Sequence, residues 1–177
     1  MIKKSFELKS EILKENHLFL FYGQNEGLKN EVIESIFKKN YSENTYQYEE
    51  SEIIKNEENF FNNILSKSFF ENEKLIIVNR VSDKIKEIAE ELIEKQVEGL
   101  IVILNAKNLE KKSKIRSLFE KNKKTICVPF YEDNNQTLSS IISSFFRERK
   151  NPISQQSMNL IVERCRGDRQ NLRNELE

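Results

Sequence analysis

The strongest constraint on this chain is a set of short runs with no polar residue in them: Leu18–Tyr22 (LFLFY), Leu75–Val78 (LIIV) and Leu100–Leu104 (LIVIL). A strand with one face in water alternates apolar and polar residues. A strand without that alternation needs cover on both faces, which helices supply in α/β folds. Two further strand candidates are Thr45–Glu49, with alternating Tyr46 and Tyr48, and Thr125–Val128, ended by Pro129.

The segments between these runs have helical spacing. Asn25–Lys39 carries Leu28, Val32, Ile33, Ile36 and Phe37, with Asn25 as the N-cap. Glu57–Ser68 carries Phe60, Phe61, Ile64 and Leu65, and Asp83–Lys95 carries Ile85, Ile88, Ala89, Leu92 and Ile93. Leu109–Lys121 is a very basic helix with Ile115, Leu118 and Phe119 inward. Strands alternating with helices of this length imply right-handed βαβ units and a parallel sheet.

After Pro129 the pattern becomes purely helical: Leu138, Ile141, Ile142, Phe145 and Phe146, then Met158, Leu160, Ile161 and Val162 behind an N-cap at Ser154. A third helix follows Gly167 with Asp168 as its cap. The expected units are therefore an α/β domain, 1–134, and a small all-α unit, 135–177. The last helical pattern is still running at Glu177, which implies a piece of a longer protein.

Twenty-nine basic and 29 acidic residues cancel, which argues against a protein whose own task is to coat nucleic acid. Two widely spaced cysteines, Cys127 and Cys165, point to a reducing cytoplasm and no structural metal. No apolar run approaches the ~20 residues of a membrane span.

An α/β domain followed by a helical one invites a test for phosphate chemistry. The turn after the first strand reads Gly23-Gln24-Asn25-Glu26-Gly27-Leu28-Lys29-Asn30. A P-loop needs G-x-x-x-x-G-K-[ST], so that amides wrap the phosphates, Lys reaches them and a hydroxyl holds magnesium. Here the second glycine comes one residue early, Asn30 replaces the hydroxyl, and Glu26 adds a negative charge. The third strand runs into Asn79 and Arg80, where an acidic residue would hold magnesium. The turn reads as an ATPase skeleton without its catalytic parts; on spacing alone, an unrelated α/β domain with a glycine in a turn fits as well.

Phe69 and Phe70 stand between a helix and the third strand, followed by Glu71, Asn72 and Glu73. Adjacent helical residues point ~100° apart, so one stripe does not readily bury both rings. Either the helix ends there with both rings folded inward, or a ring is presented to a partner. Lys111, Lys112, Lys114 and Arg116 belong to a basic region that reads as a DNA or partner contact, or as a solvated helix face. Asn105, at the end of the fourth strand, reads as a loop-capping residue. His17, the single histidine, reads as a turn residue. No catalytic or metal-ligating set emerges.

Four segments, Leu18–Gly23, Leu75–Asn79, Asn108–Arg116 (NLEKKSKIR) and Glu163–Leu172 (ERCRGDRQNL), resemble in order the delta subunit of the bacterial DNA polymerase III clamp loader. The resemblance covers essentially the whole chain and implies an AAA+-like, ATPase-inactive domain with a helical lid. The family's third, oligomerisation domain would be absent. Active AAA+ relatives carry a nucleotide-sensing G-x-x-R arginine in the lid, and here Gly167-Asp168-Arg169-Gln170 puts Gln170 in its place.

The resemblance further implies a cytoplasmic, non-catalytic subunit of a DNA-directed DNA polymerase holoenzyme, without a cofactor. Its partners would be the sliding clamp (beta subunit), the gamma/tau and delta prime subunits, and DNA within the assembly. Phe69 and Phe70, with Leu65 beside them, would form the hydrophobic plug that enters the clamp. The alternative is an active AAA+-type NTPase with a degenerate P-loop.

Overall fold

A computed structural model of the protein describes residues 1–41, 44–65 and 73–177. The strands are β1 (Leu18–Tyr22), β2 (Thr45–Glu49), β3 (Lys74–Asn79), β4 (Leu100–Asn105) and β5 (Thr125–Pro129). All pair in parallel, in the order β2-β3-β4-β1-β5. β4 is the central strand, and β1 lies between it and β5, with Leu20 opposite Leu104 on one side and Cys127 on the other.

The helices, in chain order, are the single turn α1 (Ile12–Glu15), then α2 (Glu26–Val32), which passes through a π-helical stretch (Ile33–Lys38) into α3 (Lys39–Tyr41). Next come α4 (Glu50–Lys55), α5 (Glu57–Leu65), α6 (Lys86–Lys95) and α7 (Lys114–Lys121). The C-terminal helices are α8 (Asn135–Glu148), α9 (Gln155–Cys165) and α10 (Arg169–Leu176).

Alternate residues of each strand enter different cores, as a pleated strand covered on both faces requires. Leu18, Leu20, Ile76, Val78, Val102 and Leu104 pack against α4 to α7, through Ile53, Phe60, Ile64, Ile88, Leu92, Ile115 and Phe119. Phe19, Phe21, Leu75, Ile77, Ile101 and Ile103 face Val32, Ile33 and Phe37 on the other side. There Phe37 meets Phe19 and Phe21 edge-on, with ring centroids 5.0 and 5.7 Å apart. Helices α8 to α10 close on a third cluster of Leu138, Ile142, Val162, Cys165 and Leu172.

The architecture is therefore the one expected from sequence: an AAA+/P-loop-like parallel sheet flanked by helices, followed by a small helical unit. Several details differ. Helix α4 has no counterpart in the sequence reading, because only Ile53 gives it an apolar anchor while Ile54 is exposed. Its start is set instead by a capping box between Glu49 and Glu52. The N-terminal segment also went unread: Ile2 bridges in parallel beside Cys127, covering part of the β5 edge. Leu160, assigned to an apolar pattern, is exposed.

The basic helix is shorter than its expected span of Leu109–Lys121. It begins at Lys114 because Ser113 takes the N-cap, its Oγ accepting from the Arg116 amide (3.3 Å). Lys111 and Lys112 therefore sit in the preceding loop, where Leu109 is buried without being helical. Asp83 fixes this start from another element: its Oδ1 accepts from Ser113 Oγ (2.6 Å) and from the Ile115 amide (3.0 Å). Burial alone would raise the Asp83 carboxyl, but these donors outweigh it and hold the group below the usual aspartate value.

Asp83→Ala removes an acceptor from both donors, so the urea midpoint is expected to fall by the equivalent of about 1–2 kcal/mol. Asp83→Asn, which keeps one acceptor oxygen, is expected to lose less. An unchanged midpoint for Asp83→Ala would show that Ser113 starts the helix unaided.

Candidate functional site

In an open α/β sheet, ligands bind beyond the carboxyl ends of the strands, where neighbouring connections depart to opposite faces. Here that point lies between β1 and β4. The chain leaves β1 for α2 on one face, and leaves β4 for α7 on the other.

The crevice is filled by the protein's own polar groups. Lys29 is fully buried, and its ammonium donates to Glu26 Oε1 (2.9 Å), Asn105 Oδ1 (3.1 Å) and the Ala106 carbonyl (2.7 Å). These contacts use all three of its protons. Burial lowers the Lys29 pKa from its usual value, with Glu26 pulling the other way. Glu26, expected to oppose phosphates, is the partner of the lysine that would bind them. Asn105 does not serve as a loop cap: besides accepting from Lys29, its amide donates to Asn79 Oδ1 (3.3 Å), joining the ends of β3 and β4.

The turn is held from outside as well. The Gly23 amide donates to the Lys107 carbonyl. Asn25 caps α2 as expected, accepting from the Leu28 amide (3.0 Å). Its amide group donates to the Tyr131 carbonyl and to Asp133 Oδ2, both at 2.9 Å. Asp133 in turn receives Arg169 in a two-pronged contact, Nε to Oδ2 at 2.7 Å and Nη2 to Oδ1 at 2.6 Å. Arg169 also reaches Glu31 (3.2 Å), which Arg173 contacts at 3.1 Å.

The first turn of α10 thus lies directly on α2. A Cβ added to Gly27 would come within 2.9 Å of the Gln170 amide nitrogen and 3.0 Å of Arg169 Cβ. A cleft of about 280 Å³ remains, bounded by Gln24 to Gly27, Glu132 and Arg166 to Gln170. It falls just below the ~300–1,000 Å³ of typical small-molecule sites. The Gln170 side chain donates to Asn174 (3.4 Å) along its own helix. The sequence reading singled out Gln170 and missed Arg169, whose partners lie 36 and 138 residues away.

At the opposite end of the strands, α5 runs toward the start of β3. Phe60, Phe61 and Ile64 are buried, Tyr48 meets Phe60 edge-on at 5.2 Å, and Leu65 packs half-buried on the same cluster. Lys74 ties the two elements, its ammonium reaching the Asn63 carbonyl at 3.4 Å. Phe69 and Phe70 lie outside the described residues. The connection that carries them joins Leu65 to the amino end of β3, whereas the filled turn follows the carboxyl end of β1. In a parallel sheet the amino end of β3 and the carboxyl end of β1 lie at opposite ends of the strands, a strand length of roughly 17–20 Å apart.

Of the basic residues, Lys111, Lys112 and Lys114 are exposed. Lys112 and Lys114 line an open groove of about 550 Å³ with Lys86 and Lys121. Arg116, grouped with them on sequence, is turned inward. It pairs with Glu120 (2.7 Å), donates to the Leu109 carbonyl (3.1 Å) and stacks 4.7 Å over the Tyr22 ring. Cys127 is a buried strand residue whose thiol burial pushes up to about 12, and Cys165 is buried among the C-terminal helices. Among the described residues, no cluster of His, Cys, Asp or Glu could hold a metal.

A sequence profile of the DNA polymerase III delta subunit matches residues 19–130, from β1 to the residue after β5 and more than half of the chain. The chain belongs to this family. Among solved structures, the fold resembles the Bacillus subtilis DNA clamp loader delta protein, with a TM-score of 0.64 at 14% identity over 94% of this chain and 53% of that one. It also resembles a variant of Thermotoga maritima RuvB, with a TM-score of 0.58 at 12% identity over 94% of this chain and 56% of that one. At such identities the likeness establishes the fold alone, and this delta-family chain spans about half the length of either structure. No curated protein sequence matches it.

Two outcomes are expected from this geometry. Gly→Ala within a helix ordinarily gains up to about 1 kcal/mol, but at Gly27 the new methyl meets α10 backbone, so thermal unfolding of Gly27→Ala is expected at lower temperature than wild type. A gain would mean that α10 yields freely.

Burial alone would raise the Asp133 carboxyl, but Arg169, Asn25 and Thr137 outweigh it and hold the group below the usual aspartate range. A lowered folded-state pKa means the stabilisation is present above the unfolded value and lost as pH falls through the folded one. The urea-midpoint difference between wild type and Asp133→Asn is therefore expected to be full at neutral pH and to vanish on acidification. A pH-independent difference would contradict the assignment.

Proposed function

We propose that this chain acts in DNA replication as a clamp-loader delta subunit that binds the sliding clamp and opens its ring for loading on primed DNA, without hydrolysing ATP itself. The observation that carries this reading is the filled turn: in a member of the delta family, the lysine that would bind phosphates is buried and shared among Glu26, Asn105 and Ala106. Work on the clamp then comes from binding energy, with ATP hydrolysed by neighbouring subunits of a loader that would include gamma/tau and delta prime.

On this reading Phe69 and Phe70 form the plug, with Leu65 supporting the helix end that leads to them. A plug that fits the opened clamp interface better than the closed one shifts the ring toward opening. Two aromatic rings seated in a pocket bury a few hundred Å², worth several kcal/mol at ~25 cal/mol per Å² before association costs. On this reading the exposed Lys111, Lys112 and Lys114 would meet DNA phosphates within the assembly, whereas Arg116 is committed internally. The protein would work in the cytoplasm; among the described residues, no helix is long and apolar enough to cross a membrane.

Titration with the sliding clamp of the same organism tests the proposal. Phe69→Ala combined with Phe70→Ala is expected to weaken binding by at least ~100-fold, with an unchanged circular dichroism spectrum. Equal affinity for wild type and double variant would move the clamp contact elsewhere, and no binding by folded wild type would overturn the clamp role.

A further inference from the structure

The contact between the helical unit and the sheet domain is assembled from charges, and the path of those charges is specific. Arg169 on α10, 12% exposed, grips the Asp133 carboxylate, 5% exposed, on the linker between β5 and α8. Asp133 is held in turn by Asn25, from the turn after β1, and Asn25 also fixes the linker through the Tyr131 carbonyl. A second arm runs from Arg169 and Arg173 to Glu31 on α2. The remnant phosphate turn, the linker and the helical unit are thus joined through one side-chain network. Gly27 lets α10 sit directly on α2.

We propose that this network is a latch that sets the angle of α8 to α10 on the sheet domain from the protein's own charges, beside the turn where a P-loop would hold phosphates. The inference deepens the ATP-independent reading above and rests on it. Desolvation offsets much of the attraction in a largely buried ion pair, so the pair as a whole adds little net stability, although removing one partner leaves the other charge buried at a cost. What a two-pronged guanidinium–carboxylate contact supplies is geometry, because the planar fork fits one relative orientation. The latch is therefore tested by the position of α8 to α10, which a loss of stability alone does not report.

The test is the distance between nitroxide labels on Glu98→Cys and Asn151→Cys, both exposed, in the full chain. Cys127 and Cys165 are buried and stay unlabelled. Wild type is expected to give one narrow distance distribution that Mg·ATP does not move. Arg169→Ala and Asp133→Asn are each expected to broaden it, and the double variant no further than either, as for two members of one interaction. Asp133→Asn keeps the side chain's shape and so guards against an Arg169→Ala that fails to fold. A distribution that stays narrow in folded Asp133→Asn would overturn the latch. Movement of the wild-type distance on adding Mg·ATP would overturn the ATP-independent reading beneath it, while the two variants still judge the latch.

Discussion

Lys29 is the point on which the rest of the site depends. An ammonium taken out of water costs several kcal/mol unless acceptors surround it, and here they come from its own helix turn, from the end of β4 and from the residue after it. Because Asn105 is shared with Asn79, the same charge organises the carboxyl ends of β3 and β4. At the crevice that an α/β sheet ordinarily offers to a ligand, the lysine is thereby taken up by internal hydrogen bonds, beside a remaining cleft of about 280 Å³.

Filling this turn separates two properties that a nucleotide-driven machine keeps together. The sheet, its flanking helices and the helical unit persist, since they depend on apolar runs and on helix faces that ligand chemistry does not touch. The response to nucleotide depends on a few side chains at one end of the strands. On the proposed reading, binding to the clamp is carried at the other end, by the connection between α5 and β3.

Much of the fold was legible because its signals are local. Leu18–Tyr22 and Leu100–Leu104 have no polar residue, so both faces had to be covered, and Asn25, Ser154 and Asp168 announce the helices that they cap. What escaped was non-local or short. Helix α4 has a single apolar anchor, and α7 starts late because Asp83, some thirty residues away, fixes Ser113. For the candidate site, the loss of P-loop residues was readable from spacing, but their replacement was not. That Lys29 is shared with Asn105, or Arg169 with Asp133, becomes visible only when β4 and α10 are brought beside the turn. Arg116 looked like its basic neighbours, and its inward turn toward Tyr22 and Glu120 is a tertiary fact.

Thermal unfolding of the purified chain with and without millimolar Mg·ATP bears on all of this. A ligand that binds the native state raises the melting temperature in proportion to the logarithm of its saturation. If Lys29 and α10 fill the turn, the melting temperature stays where it is, in wild type and in a Lys29→Met variant of lower stability alike. A rise in wild type that Lys29→Met abolishes would show that the turn opens to phosphates, and that the chain is a working nucleotide site.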